Sequence, residues 1–96
     1  MKNENSKYKM KLKDRTYQYS IKMIEFLDNL SKDSSTQIIS KQLLRSAISI
    51  GVNIVEAQAS SSKKDFTKYF NYSLKPANES VYWLNLLKDV KKIHKR

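Results

Sequence analysis

No cysteine occurs in this 96-residue chain, and glycine and proline occur once each. Without thiols there is neither a disulfide staple nor a thiolate metal site. A many-stranded sandwich or barrel reverses direction every ~8–12 residues, which so few turn-makers exclude. The lone Gly51 also rules out a glycine-rich phosphate loop. Long helices with few connections remain. A single domain of this size has a modest core and needs unusually good helix packing or partner subunits, so a homo-oligomer is expected. No run reaches the ~18 apolar residues of a membrane span, and the stretch from Met1 to Lys13 lacks the apolar heart of a signal peptide. The expected compartment is the cytoplasm, with no membrane partner.

The chain carries 19 Lys and Arg against 9 Asp and Glu, a formal net charge of +10. The excess sits at the two ends. Lys7, Lys9, Lys11, Lys13 and Arg15 form one cluster; Lys88, Lys91, Lys92, Lys95 and Arg96 form the other. Such blocks either solvate the chain ends or condense onto a polyanion by releasing counterions, an attraction that is steep in salt and indifferent to sequence. Residues 1–8 and 91–96 read as frayed basic tails of one domain spanning 1–96.

Apolar and small positions recur at helical spacing in three stretches. From Lys9 to Ser31 they are Leu12, Thr16, Tyr19, Met23, Phe26 and Leu30, widened by Ile24 and Leu27. The polar run Ser31 to Ser35 ends that helix, and Ser34 with Gln37 has the spacing of a capping box, which starts a second. The second stripe is Leu43, Ala47, Ile50, Ile54 and Ala57, flanked by Leu44, Ile48, Gly51 and Val55. Two adjoining stripes predict a helix covered on more than one side. Its small residues Ser46, Ala47, Ser49 and Gly51 allow a neighbour to approach closely, offsetting the ~1 kcal/mol that glycine costs inside a helix. Ser62 with Asp65 starts a third helix, whose stripe is Phe66, Phe70, Ser73, Ala77, Ser80, Leu84 and Leu87. The stripe stays in phase across Pro76, so one kinked helix is predicted rather than two. The fold class is all-α, an up-down antiparallel bundle with three long helices.

Little in the chain suits catalysis. The only histidine is His94, in a lysine-rich tail, and Glu25 and Asp28 read as part of an exposed face. No catalytic, cofactor-binding or metal residue is assigned, and the chain is not read as an enzyme. Asn53 and Glu56 stand out in the most apolar helix. They either reach solvent or pair with Arg45, Lys63 or Lys68, or else form a buried hydrogen-bond device that fixes register or subunit geometry. Arg45 reads as a structural pairing residue, with direct anion contact as the alternative. Tyr82 and Trp83 either pack an interface or stack on bases.

The run Ser40 to Ala57 (SKQLLRSAISIGVNIVEA), followed by Ser61 to Phe66 (SSKKDF) and Ala77 to Leu87 (ANESVYWLNLL), resembles a known family. It is similar to the four-helix-bundle proteins encoded in intervening sequences of bacterial 23S ribosomal RNA genes. That resemblance covers the chain from Lys11 to Leu87, and the string from Gln42 to Glu56 is its signature. It implies an up-down four-helix bundle assembled as a ring, commonly a homopentamer, without known catalytic activity. The fold is related to accessory variability proteins of retroelements, basic pentamers that bind nucleic acid. It also implies a fourth helix after the equivalent of Leu87. Lys88 to Arg96 make at most ~14 Å of helix, so the fourth helix is expected to be missing or truncated and its groove exposed or filled by another subunit.

With helices running up, down and up, the first helix's start, the second's end and the third's start share a pole. Lys7, Lys9, Lys11, Lys13 and Arg15 join Lys63, Lys64 and Lys68 there, as candidate nucleic-acid contacts. Arg45, Ser46, Ser49, Gly51, Asn53, Glu56 and Trp83 are the candidate packing and oligomer residues. The expected function is a non-enzymatic homo-oligomer holding RNA or another polyanion on basic poles. The alternative is a protein-protein adaptor, accepting a partner helix in an apolar groove lined by Leu43, Ile50, Phe70 and Leu84, or a shortened copy without function.

Overall fold

A computed structural model describes residues 11–90, 92 and 93. Among them the chain forms four helices: α1 (Leu12–Asp28), α2 (Ser34–Ala59), α3 (Lys63–Tyr72) and α4 (Leu74–Asp89). The architecture is the all-helical bundle that the spacing predicts. α2, at 26 residues the longest, runs up the middle, and α1, α3 and α4 all pack on it. By length and composition alone α2 could cross a membrane. Its Lys41, Arg45 and Glu56, and the three helices laid along it, make it the bundle's central helix.

Three local differences from the expected pattern have physical causes. α1 stops at Asp28 rather than Ser31, because Asn29 Nδ2 bonds the Glu25 carbonyl at 2.9 Å and the Asn29 N–H tightens onto Phe26 at 3.2 Å. The cap of α2 is Asp33, not Ser34. Its carboxylate accepts from the Thr36 N–H at 3.3 Å, the Thr36 hydroxyl at 2.8 Å and the Ser35 hydroxyl at 3.0 Å, and it also accepts from Ser31. Two charged oxygens satisfy more donors than one hydroxyl can. Ser62 does cap α3, accepting from the Asp65 N–H at 3.0 Å.

The third long helix breaks at Ser73, one turn before Pro76, where the kink is predicted. Ser73 keeps a right-handed helical conformation (φ −77°, ψ −16°), and its N–H closes onto Phe70 at 3.0 Å. Pro76 thereby falls in the first turn of α4, where a missing N–H leaves no helical bond unmade.

The main core cluster is Met23, Leu27, Leu43, Ala47 and Leu87, with Leu30, Ile39, Leu44, Trp83, Leu84 and Ile93 packed around it. These residues come from the end of α1, the start of α2 and the end of α4, so the apolar mass gathers at one pole. Ion pairing reinforces that pole, where Lys92 Nζ reaches Asp33 at 3.2 Å. Toward the other pole, among the described residues, Ile54 and Ala57 are the buried core hydrophobics.

α2 is covered only in part on its second stripe, where Leu44 and Gly51 are half-buried. Ile48, Val52 and Val55 remain 42–54% exposed, and Ile24 (42%) and Tyr17 (66%) across from them on α1 are exposed as well. Gly51 sits where α1 crosses close by. A Cβ there would meet Thr16 Cβ and Oγ1 at 3.7 Å and Ser20 Oγ at 3.8 Å, ordinary contact distances, so the crossing admits alanine as well as glycine.

Candidate nucleic-acid interface

Antiparallel packing of α1 on α2, and the short turn from α2 into α3, place the start of α1 and the start of α3 at the core-poor pole. Lys13 of α1 and Glu56 of α2 line the same groove, which fixes that register. Lys11, Lys13 and Arg15 come from the cap and first turn of α1, Lys13 lining the groove on one flank of that helix and Arg15 a hollow on the other, and Lys63, Lys64 and Lys68 come from α3. All six are exposed. Among the described residues Lys11, Lys13, Arg15, Lys63 and Lys64 make no ion pair, so their charge is not neutralised within the chain. Lys68 differs: its ammonium lies 3.7 Å from Asp65 and 4.9 Å from the centre of the Tyr69 ring. Lys7 and Lys9, also expected here, lie outside the described residues.

The second group of candidate residues divides. Ser46 is buried, with its hydroxyl 3.5 Å from Glu79 of α4, and Trp83 packs on the core with its ring edge-on to the exposed Tyr82 at 5.0 Å. Ser46 is thus enclosed between α2 and α4, and Trp83 is partly buried against the core. Asn53 Nδ2 bonds the Ser49 carbonyl of its own helix at 3.0 Å, which satisfies it without a second element. Arg45 and Glu56 are exposed and unpaired among the described residues. The buried polar device that Asn53 and Glu56 could form is therefore not made within one chain.

Two open apolar surfaces flank α1. On one side Tyr17, Ile21 and Ile24 face Ile48, Val52 and Val55 across Gly51, making a groove of about 430 Å³ whose only charged lining residues among those described are Lys13 and Glu56. The stripes read from the sequence do not include Tyr17, Ile21 or Val52. The spacing i, i+4, i+7 in both Tyr17/Ile21/Ile24 and Ile48/Val52/Val55 is the signal that marks them.

On α1's other side, hollows of about 520 Å³ and 340 Å³ adjoin at Tyr19 and Lys22. The first is floored by Ile50, and the second lies between Met23 and Phe26 of α1 and Leu84 and Ile93. Of the expected groove residues, Ile50 and Leu84 do line this cleft. Leu43 does not, being wholly buried in the core, and Phe70, 37% exposed, lies outside both hollows.

One titrating group in the described chain is strongly held. The hydroxyls of Ser31 and Thr36 keep the Asp33 carboxyl far below the usual carboxylate range, with Ser35 and Lys92 adding to them. In the cleft, burial raises the Tyr19 phenol, and the nearby Ser80 hydroxyl draws it back down. Ser80 Oγ is itself buried without a hydrogen-bond partner among the described residues. Among the described residues no group of three His, Cys, Asp or Glu side chains converges as a metal site.

The sequence pattern of the family described as 23S rRNA-intervening sequence protein matches residues 8–96. Among solved structures, the chain is similar to a crystal structure from Bacteroides thetaiotaomicron, described as a protein with unknown function from the S23 ribosomal protein family. That match is 37% identical, covers 86% of this chain and 77% of the other, and has a TM-score of 0.75. No functionally curated protein matches the chain.

Proposed function

Because the chain belongs to the 23S rRNA-intervening sequence protein family, we propose that it is a non-enzymatic, self-assembling helical scaffold that holds RNA on a basic pole. One observation carries the reading: five exposed cations, Lys11, Lys13, Arg15, Lys63 and Lys64, share the core-poor pole and have no ion-pair partner among the described residues. Unneutralised ammonium and guanidinium groups on one end of a bundle attract phosphates whatever the bases.

Self-assembly accounts for the apolar groove between α1 and α2. With one cation and one anion in its lining, it is the apolar surface on which two copies of a +10 chain repel each other least. Under this reading Glu56, which lines the groove, pairs across that contact with the exposed Arg45 of the neighbouring copy. A ring, with a pentamer favoured, repeats the basic pole around an axis, and single weak phosphate contacts then add by avidity. The setting is cytoplasmic.

Filter retention of labelled RNA across a salt series tests the RNA reading. The expected result is retention at low salt that falls steeply as salt is added and does not depend on base composition. No retention at low salt, or retention unchanged by salt, refutes it. Reversing the charge of Lys9, Lys11, Lys63 and Lys64 abolishes retention under this reading; an adaptor working through an apolar groove would be unaffected.

A further inference from the structure

We infer, building on the RNA reading of the basic pole, that the preferred ligand is single-stranded RNA, which leaves the pole along the outer face of α3 and α4 with bases stacked on Tyr72 and Tyr82. Lys64, Lys68 and Tyr72 follow one another four residues apart on α3, and Lys75 and Tyr82 stand seven apart on α4. Each set lies on one face of its helix. Ser73 between them keeps a right-handed helical backbone, so the two sets join in one stripe about 27 Å long. All five residues are exposed, Tyr72 by 53% and Tyr82 by 62%.

The stripe is turned away from the α1–α4 cleft. Tyr82 is two residues from Leu84, which lines that cleft, and two residues are about 200° of helical rotation. A further helix laid in the cleft therefore leaves the stripe open.

Each exposed ring is braced from inside. Tyr69, half-buried, meets Tyr72 edge to face at 5.8 Å, and Trp83, packed on the core, meets Tyr82 edge to face at 5.0 Å. A ring already held by its neighbour has less freedom to lose when a base settles on it. Stacking on a tyrosine face tolerates any base. Lys68 and Lys75 stand one turn to either side of Tyr72, within reach of the phosphates that flank a stacked base. Lys64 and Lys75 make no ion pair among the described residues. The two acids nearby are engaged: Asp65 lies 3.7 Å from Lys68, and Glu79 lies 3.5 Å from the Ser46 hydroxyl of α2.

Single-stranded RNA fits this face better than the other occupants. A duplex engages its base faces in its own stack and brings only phosphates and sugars to the rings. A second copy of this chain carries a net charge of +10 toward three lysines. Lys64 belongs to both the pole and the stripe, so a strand held at one continues onto the other.

The test uses the full 96-residue chain and a fluorescein-labelled oligouridine of about twenty nucleotides, longer than a usual single-strand site, alone or annealed to oligoadenosine. In moderate salt, where phosphate attraction is weakened, anisotropy is expected to show tighter binding of the single strand than of the duplex. Tyr72→Ala with Tyr82→Ala is expected to weaken single-strand binding at least about tenfold and duplex binding less than about twofold. Tyr72→Phe with Tyr82→Phe, which keeps both rings, is expected to bind as wild type does; Tyr72→Leu with Tyr82→Leu, which keeps only apolar bulk, is expected to behave like the alanine pair. Duplex bound as tightly as single strand, single-strand binding unmoved by the alanine pair, or leucine serving as well as phenylalanine overturns the inference and leaves the basic pole as the whole RNA site. A changed sedimentation coefficient for the alanine pair also overturns it, by making this face a contact between copies. If neither form of RNA binds wild type even at low salt, the reading of the pole itself fails.

Discussion

Changing Val52 to aspartate separates a surface that serves assembly from one that serves folding. Val52 is 54% exposed in the described chain and lines the α1–α2 groove. In an isolated chain an exposed substitution of this kind alters stability by about 0.5 kcal/mol or less. If a second copy covers the groove, the same carboxylate is buried against Ile48 and Val55, at a cost of roughly 3 kcal/mol, or about 150-fold in the association constant. Leu43→Ala is the contrasting change. Leu43 is wholly buried in the core cluster, so its truncation costs ~2–5 kcal/mol, and even the lower figure lowers Tm by ~8–16 °C in a domain of this size. Sedimentation velocity over a concentration series, with thermal melting by circular dichroism at the most dilute point, reads both quantities. Val52→Asp should shift the association curve and leave the dilute melt unchanged; Leu43→Ala should lower the dilute melt. A Val52→Asp chain that melts early when dilute, or that assembles as wild type does, refutes the assignment of the groove to self-association.

The other expectations are independent of that one. Neutralising Lys63 and Lys64 together (Lys63→Gln, Lys64→Gln) should reduce the slope of log K against log salt for duplex RNA by about 1.8, at ~0.9 per phosphate contact by analogy with duplex DNA; an unchanged slope removes these two residues from the interface. The Asp33 carboxyl is held below its unfolded value, so its stabilising effect is complete above the unfolded value, near pH ~4, and is lost as pH falls from there toward the lower folded value. Asp33→Ala should therefore lower Tm at neutral pH and flatten its decline in acid, and a variant whose acid limb matches wild type shows that other carboxylates set it. Gly51→Ala should raise the melting free energy of the dilute chain by ~0.5–1 kcal/mol, since a Cβ meets Thr16 and Ser20 at ordinary contact distances; a destabilised dilute chain would show that the crossing is tighter than its geometry.

Much of the fold is legible in the residue pattern, because the four-three rhythm of Met23 and Leu27, of Leu43, Ala47, Ile54 and Ala57, and of Ser73, Ser80 and Leu87 marks the side of each helix that is buried. Capping is legible where one residue competes for the end, as at Ser62, and misleading where several do. Asp33 wins over Ser34 because a carboxylate gathers four hydroxyl and amide donors at once. The position of the kink follows from where a proline's missing N–H does least harm, a property of the backbone turn before it rather than of Pro76 itself. At the candidate interface the sharing of a pole by Lys13 and Lys63 follows from helix order alone. Which apolar stripes stay open does not. Ile50 and Ile48 are equally apolar in sequence, and only packing decides that one floors the α1–α4 cleft while the other lines the groove beside Gly51.

Sedimentation equilibrium of the purified chain, run in moderate salt with no RNA present, reads the central claim most directly. A mass several times that of one chain, falling toward one chain's mass on dilution and falling sooner for Val52→Asp, is the predicted result. A single-chain mass with a sharp cooperative melt at every concentration would contradict it.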